Sequence, residues 1–394
     1  MINMKIPHFI IKNNFQKGGQ KYSNLLTKRI LRDVCERITG LSKYTYDFDN
    51  TGYNKGRLAV LKYKKQINYI SFSENKASGR NSSFQSFPTA LIKYYEERNK
   101  KKKLFFYFLP TLGNYETPYF TFMYRLIKTA GAEFLNENDF LSKPVSPFLT
   151  IEDIITARDV NKGRNRSNNS TFLTRNSDNS IELYGKTYGA NKKETTILCI
   201  ALSKLTDSTI NLHQISEKNL TILPKPDLEV IQKLGNIKTY VDNTTMERSE
   251  YEKDNSFRSA TYIFNLFVKF GSKKCAFCTC DIPQLVQGAH IWPVAQIKKM
   301  QRLNQQKKLK LAIDGENGIW LCQNHHKMLD LNILKIDQSG KLKVRSNLKK
   351  ESVNYVKSIT PIVELSKEII TPKFSEFLEK RNESLFDPQY SLLV

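Results

Sequence analysis

The sequence predicts an α+β protein in three parts. A mixed α/β amino-terminal region spans 1–245, a compact strand–strand–helix domain spans 255–340, and a helical carboxy-terminal tail spans 341–394. Three observations support this. Segments with helical and with strand periodicity are interspersed through the first half of the chain. A polar, charged stretch, DNTTMERSEYEKDNS (242–256), interrupts the pattern and marks a boundary. Beyond it, four of the six cysteines, Cys275, Cys278, Cys280 and Cys322, crowd around His290.

The elements follow in chain order. SNLLTKRILRDVCERITG (23–40) spaces Leu26, Ile30, Val34 and Ile38 four apart and stops at Gly40, which predicts an amphipathic helix. RLAVLKYKKQINYISF (57–72) predicts a pair of strands, FPTALIKYYEER (87–98) a helix, and KKLFFYFLP (102–110) a buried strand closed by Pro110. TPYFTFMYRLIKTAG (117–131) carries Pro near its start and Gly at its end, as helices do. In TIEDIITARD (150–159), Thr150 precedes Asp153 by three residues, a capping-box pattern. Residues 161–180 predict a long polar loop. IELYGKTYGANKKETTILCIALSKL (181–205) reads as strand, glycine loop and helix. Its Gly185, Lys186, Gly189, Lys192 and Lys193 suit either a phosphate cradle or a plain turn, and the spacing is not that of a Walker loop. The first 245 residues make one α/β unit or two small ones, and FSEFLEKRNESLF (374–386) is the helical core of the tail.

Charge narrows the partners. Sixty-two Lys and Arg face 38 Asp and Glu, a formal +24, in a chain of ordinary 40% hydrophobic content. A field of that sign favours polyanions, and nucleic acid above all. No stretch approaches the ~18 consecutive apolar residues of a membrane span. The start, MINMKIPHFIIKNNF, has too short an apolar run for a secretion signal, so a cytoplasmic protein is expected. Structural disulfides are rare there, and the cysteines need another explanation. Cys35 and Cys199 sit on apolar faces of helical segments and read as small core residues. His8 and His213, with no chemical company, read the same way, and Trp292 and Trp320 as core packing.

The other cysteines form half-sites. CAFC (275–278) is a Cys-x-x-Cys and CQNH (322–325) a Cys-x-x-His. Two such pairs complete one tetrahedral zinc site, because each short spacing brings two ligands to one ion from a knuckle or helix start. Cys280 is a spare that could replace Cys278, although the two-residue spacing favours Cys278. Between the pairs lie a strand, VQGAHIWPVAQ, turning at Pro293, and a basic segment, KKMQRLNQQKKLKL (298–311). GIWLC then reads as a second strand and NHHKMLD as the start of a helix.

Here the chain resembles the HNH nucleases of the ββα-metal type, over roughly 256–335. AHIWP followed by NGIWLCQNHHKMLD is similar to the zinc-containing HNH domains of bacterial restriction enzymes, and SFRSATYIFNLFVKFGSKKCAFC to their usual lead-in. The resemblance implies that His290 is the general base and that Asn317 ties the loop between the strands and helps hold the base. It implies a structural zinc on Cys275, Cys278, Cys322 and His325, and a catalytic Mg2+ or Mn2+ on His326. Many members carry Asp or His just before the base, where this chain has Ala289, a variant familiar in this subgroup. Asp330, four residues after His326 on the same helix face, is the expected second ligand.

The expected function is a type II restriction endonuclease, cutting double-stranded DNA at a short site. An HNH module of this size grips mostly backbone, so base reading falls to the first 245 residues. Arg80, Arg164 and Arg166, in basic loops, and Lys298, Lys299 and Arg302, after the base, are the expected DNA contacts. A homodimer on DNA and a cognate methyltransferase in the same system, though not as a stable complex, are expected partners. The rivals are a mobile-element nicking enzyme, a zinc-stabilised DNA-binding regulator with an inactive HNH site, and an RNA nuclease.

Overall fold

A computed structural model describes residues 6–12, 26–49, 58–73, 84, 87–98, 101–110, 116–162, 171–176, 178–187, 191–217, 223, 225–244, 260–383 and 389–393. The chain divides into two compact units, Met1–Gln214 with Thr221–Val241, and Ile215–Leu220 with Asp242–Val394. The architecture is mixed α and β throughout. Arg80, Arg164, Arg166 and Gly189 lie outside the described residues.

The first unit holds a six-stranded sheet. Its strands are β1 (His8–Lys12), β2 (Thr45–Asp49), β3 (Leu58–Tyr63), β4 (Gln66–Phe72), β5 (Lys102–Tyr107) and β6 (Glu133–Phe134), in the order β2-β1-β3-β4-β5-β6. β3 and β4 form the expected antiparallel hairpin, turning at Lys64 and Lys65, both at positive φ. β5 lies parallel to both neighbours, the connections running through α2 (Phe87–Glu96) and α3 (Pro118–Thr129). Strand alternation sends Leu104, Phe106 and Phe108 into one core and Phe105, Tyr107 and Leu109 into another. Both faces of β5 are covered, which is why its sequence is a continuous apolar run rather than an alternating one.

The smaller core lies under α1 (Lys28–Thr39), which places Ile30, Leu31, Val34 and Cys35 against the sheet. Thr27 caps its start and Gly40, at φ 73°, ends it, as its sequence signals predict. The larger core lies on the opposite face. It joins α2, α3, α4 (Ile151–Lys162), α5 (Asn191–Leu205) and α6 (Lys225–Lys233) to a second sheet. That sheet contains β7 (Thr171–Arg175), β8 (Ile181–Lys186), β9 (Ile210–Glu217) and β10 (Ile237–Thr244), in the order β10-β9-β8-β7. One core serves both sheets, through Leu173, Leu183, Leu212 and Ile237. Thr150 and Asp153 exchange reciprocal hydrogen bonds of 3.1 and 3.2 Å at the start of α4, completing the capping box.

Two expectations change. The stretch 161–180 is not all loop, because Thr171–Arg175 is β7 and pairs antiparallel with β8. Phe172 and Leu173 are buried there, and two apolar residues in a polar stretch are a weak periodic signal. Gly185 lies inside β8 rather than in a loop. A Cβ at that position would meet the Thr195 side chain of α5, so the glycine allows close strand–helix packing and does not cradle phosphate.

The first helix of the second unit, among the described residues, is α7 (Ala260–Phe270), the expected lead-in. A two-stranded antiparallel ribbon follows, of β11 (Val286–His290) and β12 (Gly318–Cys322). Between them run α8 (Val294–Lys299), α9 (Gln305–Ala312) and a 3-10 turn, Gly315–Asn317. α10 (Gln323–Asp330) leaves β12 directly, giving the expected strand–strand–helix order. The carboxy-terminal segment holds α11 (Lys350–Ile359) and α12 (Pro372–Glu383), as its helical reading requires. It also returns as β15 (Tyr390–Leu392), which pairs with β14 (Leu342–Arg345) and, through it, β13 (Leu334–Ile336).

Phe106 touches the rings of Phe87, Phe108, Tyr124 and Phe134 and is fully buried. Truncating it removes the ring at the centre of the larger core. Phe106→Ala is expected to cost about 3–5 kcal/mol, read from the shift of a denaturant unfolding midpoint.

Candidate active site and metal centre

The sulfur and nitrogen ligand atoms of Cys275, Cys278, Cys322 and His325 all lie within 4.8 Å of one another. Nδ1 of His325 is 3.1 Å from Sγ of Cys322 and 3.4 Å from Sγ of Cys275, and the Cys278 and Cys322 sulfurs are 3.9 Å apart. Ligands at ~2.1–2.3 Å around a tetrahedral ion stand at about these separations. The chemistry of the donors, three thiols and an imidazole, fits zinc.

Local structure builds this cluster. The backbone N–H of Cys275 donates to Cys280 O at 2.8 Å, folding 275–280 into a knuckle that holds both of its ligands on one side. The N–H of Ala276 donates to Trp320 O at 2.9 Å and fastens the knuckle to β12. Cys322 is the last residue of β12 and the N-cap of α10, so His325 falls in the helix's first turn beside it. Cys280 stays outside the group, as the two-residue spacing implied. Nε2 of His325 lies 3.0 Å from the Thr360 hydroxyl, which orients the ring. Burial pushes the Cys275 thiol up to about 12 and the His325 imidazole down to about 4. Both shifts disfavour charge in the dry site, and a cation reverses that balance for the thiols.

The second constellation sits at the far end of the ribbon. His290 ends β11 opposite Gly318, the first residue of β12. Nε2 of His290 donates to Ala312 O at 2.9 Å. A carbonyl only accepts, so Nε2 carries a proton, and in the neutral ring the lone pair is on Nδ1. Tyr262 of α7 stacks flat on the imidazole, with centroids 4.1 Å apart and planes at 9°. The Tyr262 hydroxyl donates to Ala289 O at 3.0 Å. A Cβ on Gly318 would strike that hydroxyl, so only glycine lets the tyrosine lie against the histidine.

Asn317 is fully buried in the 3-10 turn. Its Oδ1 accepts from Trp292 N at 2.7 Å, and its Nδ2 donates to Trp292 O and Leu311 O, both at 3.2 Å. Its carbonyl accepts from Ile291 N at 3.1 Å. The asparagine thus binds the chain that leaves His290 to the chain that leads into β12. His290 itself is held by Ala312 and Tyr262. Ion pairs fix the same turn from outside, Lys269 with Glu316 and Lys373 with Asp314, and the Thr371 hydroxyl donates to Glu316 at 2.6 Å.

His326 lies on α10 next to the cluster ligand His325, and its Nε2 is 3.4 Å from Oδ2 of Asp330 one turn later. Two adjacent ligands of one divalent ion stand at ~3 Å, so this pair has the spacing to share a cation. Asp330 is half exposed and His326 mostly covered, which leaves one open side. Lys299 and Arg302 are exposed at the end of α8 and just beyond it, and Lys298 is half-buried.

A family model for HNH endonucleases matches residues 275–337. This segment is an HNH-family domain. It contains both constellations except Tyr262, Thr360 and the outer partners Lys269, Thr371 and Lys373. HNH domains are nuclease modules, and DNA is the substrate class implied. No curated protein matches the chain. Among the described residues, no helix is long and apolar enough to cross a membrane.

Nothing in the sequence marks Tyr262 or Thr360. A tyrosine in an apolar helix and a threonine after one carry no spacing signal, and both act from segments remote in sequence. Asn317→Ala would strand the Trp292 amide and two carbonyls in a buried site. It is expected to cost about 2–3 kcal/mol, measured by chemical denaturation.

Proposed function

We propose that the protein is a metal-dependent DNA endonuclease in which His290 is the general base. The observation that carries this reading is the hydrogen bond from Nε2 of His290 to Ala312 O within an HNH-family domain. It fixes the tautomer that a base requires. Nδ1 is then the atom that takes the proton from a water attacking phosphorus. The flat Tyr262 ring keeps the imidazole from rotating out of line, and Asn317 holds the strand end that carries it.

His326 and Asp330 would hold Mg2+ or Mn2+, supplying positive charge to the scissile phosphate and its leaving oxygen. Asp330 takes the place of the ligand that Ala289 lacks. Zinc on Cys275, Cys278, Cys322 and His325 would have four protein ligands and no open position, so its role is to hold the fold. Lys299 and Arg302, exposed after the base, suit phosphate contacts on the duplex.

The finer reading is a type II restriction endonuclease acting in the cytoplasm of a bacterium. Its support is the size of the first unit, far larger than backbone gripping needs, and the formal +24 of the chain. One HNH site cuts one strand, so a double-strand break calls for a homodimer on DNA or two successive nicks. A cognate methyltransferase would protect the host's own sites. Arg80, Arg164 and Arg166 remain the proposed base or phosphate contacts of the first unit.

The test is cleavage of unmodified plasmid and phage DNA in Mg2+ or Mn2+. The wild type is expected to give discrete fragments, and His290→Ala to lose about 10²–10⁴-fold in rate. A smear would remove site specificity and keep the chemistry. Tight binding without cleavage in either metal would replace the nuclease with a DNA-binding regulator.

The metal centre is tested separately. Elemental analysis is expected to find about one zinc per chain, and Cys278→Ser to lose it and unfold at lower temperature. A chain that carries no zinc yet melts normally would refute the structural role.

A further inference from the structure

α12 lies outside the segment that matches the HNH family, yet it sends one side chain between the two halves of the site. Arg381 is 2% exposed. Its NH1 donates to Ile291 O at 3.1 Å, the carbonyl next in sequence to His290. Its NH2 donates to Leu329 O, next to Asp330, and at 3.1 Å to Oδ1 of Asn332. One rigid guanidinium therefore joins the strand end that bears the base to the helix that bears His326 and Asp330.

The geometry suits arginine. Leu329 O, near the end of α10, already accepts from Asn332 N at 3.0 Å, and its second lone pair takes the guanidinium. A cation at that end is also favoured by the helix dipole. The planar fork holds its N–H donors on two chain segments in fixed relative positions, whereas a lysine's donors all radiate from one atom on a flexible stem. Burial lowers the guanidinium to about 10, against the pull of nearby Asp330, so it stays charged at neutral pH. A buried cation held mainly by neutral oxygens is costly, and apolar packing would serve stability as well. Packing alone is already provided, by the ring of Phe377 against Trp292 and by the buried Phe374 and Leu378.

We propose that Arg381 is a positioning residue of the nuclease, setting the distance between His290 and the His326–Asp330 pair. The HNH site of this chain is then incomplete without α12. The proposal rests on the nuclease reading for its catalytic consequence, but its effect on cation binding can be read without cleavage.

The experiment uses the full, zinc-loaded chain and compares Arg381→Met, Arg381→Lys and a structural control, Leu378→Ala, with the wild type. Two quantities are measured below the unfolding temperature of every variant: kcat and KM on DNA, and Mn2+ affinity by electron paramagnetic resonance. Positioning predicts that Arg381→Met loses at least tenfold in kcat with KM within about twofold, and binds Mn2+ several-fold more weakly. Arg381→Lys recovers only part of each loss, and Leu378→Ala changes neither. If Arg381→Met keeps kcat within twofold while the wild type cuts, the proposal is overturned and the nuclease stands. Equal losses in Leu378→Ala would also overturn it, as the sign of a merely structural role. If the wild type does not cut, the nuclease reading fails and Mn2+ affinity decides. Unchanged affinity in Arg381→Met, or no Mn2+ binding by the wild type, then rejects the proposal.

Discussion

The carboxy-terminal unit depends on the convergence of four side chains, Cys275, Cys278, Cys322 and His325, on one point. Its two-stranded ribbon is too small to be stable on apolar burial alone. The cluster joins the knuckle at 275–280 to the junction between β12 and α10. Because Cys322 ends the strand and His325 begins the helix, the direction in which α10 leaves the ribbon is set there. His326 follows His325 directly, so the same constraint aims the residue proposed to hold the catalytic ion. The cluster and the proposed cation pair thus share one short helix, α10.

The opposite end of the ribbon has no such cluster and is held by hydrogen bonds and stacking instead. Tyr262 covers the His290 ring, Gly318 makes room for it, and Ala312 O fixes the tautomer. Asn317 closes the loop by satisfying the backbone on both sides. Tyr262 and Ala312 reach His290 from different parts of the chain, and Asn317 acts on the backbone that follows it. The ring proposed as the base is oriented by its surroundings.

Segments beyond the family match complete this arrangement. Thr360 orients His325, Thr371 and Lys373 fix the 3-10 turn, and Arg381 spans from Ile291 to Leu329. β15 returns to pair with β14, and the Tyr390 hydroxyl donates to Asn332 O at 2.9 Å beside the arginine. The last fifty residues are therefore part of the nuclease unit's framework as well as a helical extension.

Much of this was legible in the sequence, for definite reasons. Short-range signals need no tertiary context: two half-sites of two-residue spacing, a histidine before a Trp-Pro turn, Thr27 and Gly40 around an amphipathic run, Thr150 three before Asp153. Backbone geometry alone brings such residues together. The choice of Cys278 over Cys280 follows from the same local reach. What only the tertiary structure decided are contacts across large sequence separations. Tyr262 meets His290 across 28 positions and Arg381 meets Ile291 across 90, and no periodicity marks either. β7 escaped notice because its two buried residues stand in a polar stretch, and Gly185 passed for a loop glycine because its reason is the Thr195 side chain. Sequence by itself brought the candidate groups into view. Folding decided how they are held, because orientation comes from whatever distant segment packs against them.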